Sequence, residues 1–152
     1  PRRARRRAGE GDAAGTVSLL LDASVILAAL DSDDAHHEAA RALLEDEGVT
    51  LSTLDLARYE ACNVAVRAWG APEAAAPILE AVERLAGDGG VIASTQPLLA
   101  AATELAERHG ISVYDAAYAA AAEARGLRLV SCDERDLVAN GLARLPADAR
   151  AA

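Results

Sequence analysis

The run TVSLLLD, at residues 16–22, constrains the fold of this chain more than any other feature. A run with an apolar centre favours a strand buried on both faces, and such strands are typical of parallel sheets that helices cover on two sides. We therefore predict a buried strand over Val17–Leu21, with Asp22 directly at its carboxyl end. The chain has 152 residues, which suits a single domain.

The rest of the chain alternates between short strands and helices. Three further strands are predicted in VTLS, GVIAS and LRLVS, and an edge strand is predicted around Leu142–Leu145. Two pairs, Ser52 with Asp55 and Ser112 with Asp115, fit capping boxes at helix starts. This order of elements predicts an α/β domain of three layers, α/β/α, with a central and mostly parallel sheet.

Charge is unevenly distributed along the chain. The first seven residues hold five Arg, and the remainder carries ten Arg against 24 acidic residues, a net of about −14. We expect residues 1–15 to be a disordered, Arg-rich arm, which either binds phosphates or has no function. Residues 16–146 are expected to form the folded domain and residues 147–152 a disordered tail. An acidic body argues against a simple nucleic-acid binder but allows an enzyme that reaches phosphates through metal ions.

Several classes of protein are excluded by what the sequence lacks. It has no Lys, so a P-loop lysine and a Schiff-base nucleophile are excluded, and it has neither GxGxxG nor GxSxG. Cys62 and Cys132 lie far apart without His at zinc spacing, so free thiols are expected. No apolar run is long enough to span a membrane, so we expect a soluble, cytoplasmic protein without a membrane partner.

Two carboxylates follow predicted strands. Asp22 ends the first strand, and Asp133 comes two residues after the fourth. Ligand sites in open parallel sheets form outside the carboxyl ends of the strands, so both positions are suited to ligand binding or catalysis. Each residue also fits a helix N-cap, which would be a purely structural role. Asp136, one turn further on, either shares the role of Asp133 or is simply solvated.

Two other carboxylates lie within predicted helices. Glu60 falls on an apolar stripe between Leu56 and Val64, where a lone charge is costly unless it is paired. A salt bridge to a distant Arg is the structural explanation for it. Asp115 begins a helix of small residues, and its capping box with Ser112 is sufficient to explain its presence.

Together these carboxylates predict a metal site. Four carboxylates at one rim of a sheet would repel one another when ionised, and a divalent cation removes that repulsion. Mg²⁺ prefers oxygen ligands, and such a site supports hydrolysis of phosphodiester bonds. The three histidines, His36, His37 and His109, fall at peripheral positions.

The residues also resemble a known family. The segments VSLLLDASVILAAL, LSTLDLARYEACNVAV and ISVYDAAYAAAAEARGLRLVSCDERDL are similar to a PIN domain, and most similar to the VapC-type toxins of bacterial type II toxin–antitoxin pairs. The resemblance implies that residues 16–146 form a PIN-like nuclease domain. It implies an Mg²⁺- or Mn²⁺-dependent endoribonuclease that acts on RNA, forms a homodimer and is neutralised by a cognate VapB-like antitoxin.

The resemblance also implies roles for individual residues. The four catalytic acids would be Asp22, Glu60, Asp115 and Asp133, with Asp22 and Asp115 as metal ligands. A second set of residues would support them, namely Ser24, Asn63, Ser131 and Asp136. The sequence departs from the family in its Arg-rich arm and in having Ser131 where Thr is commoner.

Three alternatives remain open at this point. A HAD-type phosphatase needs a second Asp where this chain has Ser24, and it needs a Lys, which is absent. A PIN-fold nuclease could act in RNA processing outside toxin–antitoxin biology. A catalytically silent PIN-like binding module is the third alternative, and the presence of all four acids argues against it.

Overall fold

The computed structural model describes residues 17–85 and 90–151, and the predicted Arg-rich arm lies outside these residues. Four strands form one sheet: β1 (Val17–Leu21), β2 (Val49–Leu54), β3 (Val91–Ile92) and β4 (Arg128–Val130). Their order is β3-β2-β1-β4, and every pair in the described part of the chain is parallel. The sheet is therefore all-parallel there, where the sequence predicted a mostly parallel one.

In the described part of the chain, six α-helices accompany the strands. They are α1 (Ala23–Leu30), α2 (His37–Leu44), α3 (Leu56–Arg67), α4 (Ala75–Leu85), α5 (Gln96–His109) and α6 (Val113–Arg125). Two 3₁₀ turns (Pro72–Ala74 and Pro146–Asp148) and a π-helical turn (Glu134–Val138) complete the described elements. None of the helices in residues 17–85 and 90–151 is long and apolar enough to cross a membrane.

The central strand β1 buries both of its faces, as the apolar run predicted. Leu19 and Leu21 pack on one face against residues of α1, α2 and α4. Leu20, which points to the opposite face, packs against residues of α5 and α6. The two cores lie on opposite sides of the sheet, so the predicted three-layer α/β/α architecture is confirmed.

The predicted capping box at Ser52 is wrong. Strand β2 runs two residues further than predicted, so Ser52 lies inside it and is buried. Asp55 precedes α3 but forms no side-chain cap. Its carboxylate instead accepts hydrogen bonds from the backbone N–H of Ser94 (3.0 Å) and from the Ser94 hydroxyl (2.5 Å). Asp55 thus links the ends of β2 and β3 because parallel pairing brings the two loops together.

The chain after residue 146 belongs to the fold, which differs from the disordered tail predicted for 147–152. The turn Pro146–Asp148 brings Ala149 into the core beside α2, where it is 1% exposed. The carbonyl of Ala149 accepts a hydrogen bond from Arg128 Nη1 (2.7 Å), and Arg150 Nε lies 3.0 Å from Asp46 Oδ2. Burial of the Ala149 side chain and these contacts order a segment that shows no apolar periodicity in the sequence. Residue 152 lies outside the described residues.

The predicted edge strand around Leu142–Leu145 is reduced to a single parallel bridge between Val130 and Arg144. The N–H of Arg144 donates to the carbonyl of Leu129, and the N–H of Ser131 donates to the carbonyl of Arg144, both at 3.0 Å. This segment therefore covers the outer edge of β4 without extending the sheet by a full strand.

Candidate acidic site

The strand order creates a crevice at one end of the sheet. The chain passes from β1 to β2 to β3 in one direction and then returns to place β4 on the other side of β1. Where the strand order reverses, the loops after the two neighbouring strands diverge and leave space outside their carboxyl ends. Asp22 follows β1 at this point, and Ser131, Cys132 and Asp133 follow β4. The backbone N–H of Asp22 donates to Val130, which joins the two loops (3.0 Å).

Asp22 is a buried carboxylate held by three hydrogen bonds. It is 6% exposed and caps α1, with Oδ1 accepting from the backbone N–H of Ser24 (3.2 Å). Its Oδ2 accepts from the hydroxyls of Ser24 (2.9 Å) and Ser131 (2.5 Å). Burial raises the pKa of Asp22, the hydroxyls of Ser131 and Ser24 oppose this rise, and the charge of Asp115 adds to it. The hydrogen bonds offset the desolvation that a buried carboxylate otherwise suffers.

The two hydroxyls predicted to support the site connect Asp22 to the loop after β4. Ser131 is fully buried, and its hydroxyl also accepts the backbone N–H of Asp133 (2.9 Å). The Ser24 hydroxyl accepts the backbone N–H of Cys132 (3.0 Å). Burial raises the pKa of the Cys132 thiol to about 12, so this thiol stays protonated, and both cysteines are free as predicted.

Three carboxylates converge at the mouth of the crevice. One oxygen from each of Asp115, Asp133 and Asp136 lies within 4.8 Å of the other two, and we call these three residues the acidic cluster. Asp115 enters it from the first turn of α6. There the hydroxyl of Ser112 accepts the backbone N–H of Asp115 (3.1 Å) and donates to Asp115 Oδ2 (2.6 Å). Ser112 therefore caps α6 as predicted, while the Asp115 carboxylate accepts the Ser112 hydroxyl in place of the backbone N–H that completes a capping box.

The other two members of the acidic cluster come from the turn after β4. Asp133 caps the π-helical turn, since its Oδ1 accepts the backbone N–H groups of Arg135 (3.0 Å) and Asp136 (2.9 Å). Asp136 forms an ion pair with Arg135, whose Nε and Nη2 donate to Oδ1 (2.8 Å) and Oδ2 (2.7 Å). These hydrogen bonds lower the pKa of Asp136.

Glu60 reaches the crevice from α3 and is held by a tyrosine. The hydroxyl of Tyr118, on α6, donates to Glu60 Oε2 at 2.6 Å. Desolvation raises the pKa of Glu60 to about 7; the Tyr118 hydrogen bond opposes this rise, and the charges of Asp22 and Asp115 add to it. Burial raises the pKa of the Tyr118 hydroxyl as well, and Glu60 adds to that rise, so the hydroxyl remains a donor. The partner of Glu60 is thus a tyrosine, where an arginine was the structural alternative.

Sequence reasoning missed Tyr118. Its place in a helix rich in alanine predicts only an apolar packing role. The available signal was its spacing, because a residue three positions after Asp115 lies on the same face of a helix. Asn63 lies one turn after Glu60 on α3 and is exposed, and its supporting role stays a prediction.

The carboxylates fall into two neighbouring groups. Asp22 is buried and Glu60 is half-buried, and neither belongs to the acidic cluster, whose three members are also half-buried. The charge of Asp115 raises the pKa of Asp22, and the charges of Asp22 and Asp115 raise the pKa of Glu60. Three converging carboxylates provide the oxygen ligands that hard divalent cations prefer. The cluster fits such a cation, and the sharing of one ion by Asp22 and Asp115 stays a prediction.

A model of the PIN domain family matches residues 19–141. This chain belongs to the PIN-domain family. The match includes Asp22, Glu60 and the acidic cluster, so the whole candidate site lies within the residues that the family model covers.

Known proteins similar to this PIN domain include one curated relative and two solved structures. Ribonuclease VapC3 of Pyrobaculum aerophilum is 34% identical over 123 residues, which cover 78% of this chain and 92% of the relative. The toxin VapC20 of Mycobacterium tuberculosis, described as cleaving the sarcin-ricin loop, superposes with a TM-score of 0.67 at 24% identity, covering 80% of this chain and 94% of that chain. A toxin–antitoxin complex from Klebsiella pneumoniae superposes with a TM-score of 0.61 at 18% identity, covering 84% of this chain and 97% of that chain. At these identities the two structures show a shared fold.

Proposed function

We propose that this PIN domain is an endoribonuclease toxin of the VapC type that uses Mg²⁺ or Mn²⁺ to hydrolyse phosphodiester bonds in RNA. The observation that carries the proposal is the convergence of Asp115, Asp133 and Asp136 at the switch-point crevice, next to Asp22 and Glu60. The relative named Ribonuclease VapC3 supports RNA as the substrate. A bound divalent cation would lower the pKa of a water and neutralise charge on the phosphate.

Each group of residues in the site would have a separate role in the reaction. The acidic cluster supplies oxygen ligands, and Asp22 adds a buried negative charge whose position is fixed by Ser24 and Ser131. Glu60 has a pKa of about 7, which suits a group that accepts a proton near neutral pH. Its Oε2 is engaged by Tyr118, so Oε1 is the atom that would receive the proton of an attacking water.

We further propose that a cognate VapB-like antitoxin neutralises the enzyme and that the enzyme forms a homodimer in the cytoplasm. A crevice of carboxylates favours a basic segment as its occupant, since opposite charges attract and like charges repel across an interface. The resemblance to VapC-type toxins supports the antitoxin, and the relative named Ribonuclease VapC3 supports that resemblance. The homodimer rests on the similarity to the family alone.

Cleavage of RNA by the purified protein tests the proposal. We expect cleavage of a single-stranded or structured RNA in Mn²⁺ or Mg²⁺, and loss of cleavage on addition of EDTA or in Asp22→Asn. Asn caps helices well, so the Asp22→Asn protein should remain folded, which circular dichroism verifies. Asp148→Asn is a matched control, because Asp148 is exposed near the start of β4, at the opposite end of that strand from Asp133.

Each contrary outcome identifies a different error. Cleavage by Asp22→Asn at the rate of the control would show that the site is assigned to the wrong residues. Cleavage that resists EDTA would contradict the requirement for a divalent cation. A folded wild-type protein that binds RNA but never cleaves it would favour the silent binding module.

A further inference from the structure

Arg135 places a cation directly against the acidic cluster. Its guanidinium forms two parallel hydrogen bonds with Asp136, Nε to Oδ1 at 2.8 Å and Nη2 to Oδ2 at 2.7 Å. The charges of Asp133 and Asp115 also stabilise the guanidinium, though less than Asp136 does. The other charged groups of the cluster are carboxylates, whereas the proposed substrate is a polyanion. The positive charge of Arg135 can therefore attract the phosphates of RNA beside the acidic cluster.

The local turn, and not distant packing, sets this ion pair. Neighbouring residues on a regular helix do not face each other, so an ion pair between adjacent positions needs another geometry. Here Asp133 Oδ1 accepts the N–H groups of both Arg135 and Asp136, and the turn that follows is π-helical. The Arg135 side chain is 87% exposed while that of Asp136 is 24% exposed. The guanidinium can therefore move into solvent without disturbing the core.

The ion pair and a bound divalent cation compete for the same carboxylate. Both oxygens of Asp136 accept from Arg135, and one oxygen of Asp136 belongs to the group that converges within 4.8 Å. A cation placed among Asp115, Asp133 and Asp136 would stand a few ångströms from the positive guanidinium. Repulsion between these charges favours release of Arg135 when the cation binds.

We propose that Arg135 is a substrate-binding residue whose guanidinium is bound to Asp136 in the absence of a divalent cation. A cation in the acidic cluster displaces the guanidinium from Asp136. The released guanidinium then pairs with a phosphate group of the RNA. The inference rests on the proposed function. Arg suits this role because its planar guanidinium binds a carboxylate and a phosphate with the same bidentate geometry. The released side chain remains beside the site, since its backbone is fixed by the bond to Asp133.

The first arm of the experiment measures Mn²⁺ binding to the RNA-free protein, by electron paramagnetic resonance of the free ion. We expect Arg135→Gln to bind Mn²⁺ about tenfold more tightly than wild type, because a unit positive charge is removed from beside the ion. Arg41→Gln is the matched control, since Arg41 also forms an exposed ion pair, with Glu45, and lies on α2. Arg135→Lys keeps the charge but loses the bidentate geometry, so an intermediate affinity is expected.

The second arm measures RNA binding in the Glu60→Gln background, where loss of the proposed proton acceptor should stop cleavage while Asp22 and the acidic cluster stay intact. With Mn²⁺ present, adding Arg135→Gln should weaken RNA binding about tenfold, relative to the same background with Arg41→Gln. Without Mn²⁺ the two proteins should bind RNA within about twofold of each other, because Asp136 then retains the guanidinium. Dependence of the Arg135 effect on Mn²⁺ is the signature that a merely structural residue would not produce.

Two outcomes overturn the inference. Unchanged Mn²⁺ affinity in Arg135→Gln would show that the guanidinium does not compete with the cation. If Arg135→Gln weakens RNA binding equally with and without Mn²⁺, then Arg135 contacts the phosphate whether or not a cation is bound. If the wild-type protein binds RNA but cleaves none, the proposed function fails, and the Mn²⁺ comparison still decides the role of Arg135.

Discussion

Replacing Glu60 by Gln should change how the stability of the protein depends on pH. The carboxyl of Glu60 is half-buried near Asp22 and Asp115, and its pKa rises from 4.5 to about 7 on folding. The folded state therefore holds this proton more tightly than the unfolded state does. The contribution of Glu60 to stability is most favourable below about pH 4.5, decreases as the pH rises toward 7, and is constant above that.

The size of the effect follows from the same pKa values. At about 1.4 kcal/mol per pKa unit, a rise from 4.5 to about 7 gives an upper bound near 3 kcal/mol. Solvent reaches part of the carboxyl and screens its charge, which reduces the expected value to about 2 kcal/mol. Gln stays neutral at every pH, and its amide oxygen can still accept the Tyr118 hydroxyl. Glu60→Gln should thus exceed wild type in stability by about 2 kcal/mol at pH 8 and by little at pH 4.5.

Urea denaturation of both proteins in EDTA, from pH 4.5 to pH 8, measures this difference in the free energy of unfolding. Glu104→Gln is the control, because Glu104 lies exposed on α5 away from the crevice. The difference in free energy of unfolding between Glu104→Gln and wild type should not vary with pH by more than about 0.5 kcal/mol. A difference between Glu60→Gln and wild type that is constant across this range would refute the reasoning, and so would a smaller difference at pH 8 than at pH 4.5.

Three further substitutions test the other contacts of the site. Ser131→Ala removes a donor to buried Asp22 and should lower the free energy of unfolding by about 2–4 kcal/mol, measured with urea at pH 7. Tyr118→Phe removes the donor to Glu60, so it should raise the pKa of that carboxyl above 7, measured by carbon NMR titration. Asp115→Asn should cost about 1 kcal/mol or less of stability, since Asn also suits a helix start, yet it should abolish RNA cleavage.

Matched controls distinguish these effects from general damage. Ser18→Ala changes an exposed serine of β1, and Tyr114→Phe removes an exposed hydroxyl one turn before Tyr118. Both should alter stability by less than about 0.5 kcal/mol. A Ser131→Ala protein as stable as Ser18→Ala would mean that the buried hydroxyl contributes nothing. Full cleavage by Asp115→Asn would leave helix capping as the only role of that carboxylate.

Local sequence signals predicted the elements that depend on neighbouring residues. The apolar run over Val17–Leu21 forms a central strand, and Ser112 forms the N-cap of α6 with Asp115 as its partner. The strand and the helix cap each depend on side chains that lie within a few residues of one another in the sequence. The box at Ser52 failed because pairing with β1 and β3 extends β2, and a long-range contact of this kind overrides a weak local signal.

The grouping of the site residues depended on topology that local signals do not contain. The sequence placed Asp22 and Asp133 at strand ends, but it did not order the strands, so it could not place β4 beside β1. It also left the role of Asp136 open, whereas the structure brings that residue into the acidic cluster. The bond between Tyr118 and Glu60 joins positions 58 residues apart, and no spacing rule relates them.

The segment after the last strand has a practical consequence for shortening the chain. Strand β4 lies at one edge of the sheet, and its outer backbone groups bond to Arg144, three residues beyond the end of the family match. A protein cut at residue 141 would expose unpaired N–H and C=O groups along an apolar strand and would lose Ala149 from the core. Exposed strand edges of this kind pair with those of other molecules and promote aggregation. The residues after position 141 therefore keep the edge of β4 from pairing with other copies of the domain, and through the bond from Ser131 to Arg144 they also support the loop that holds Asp22.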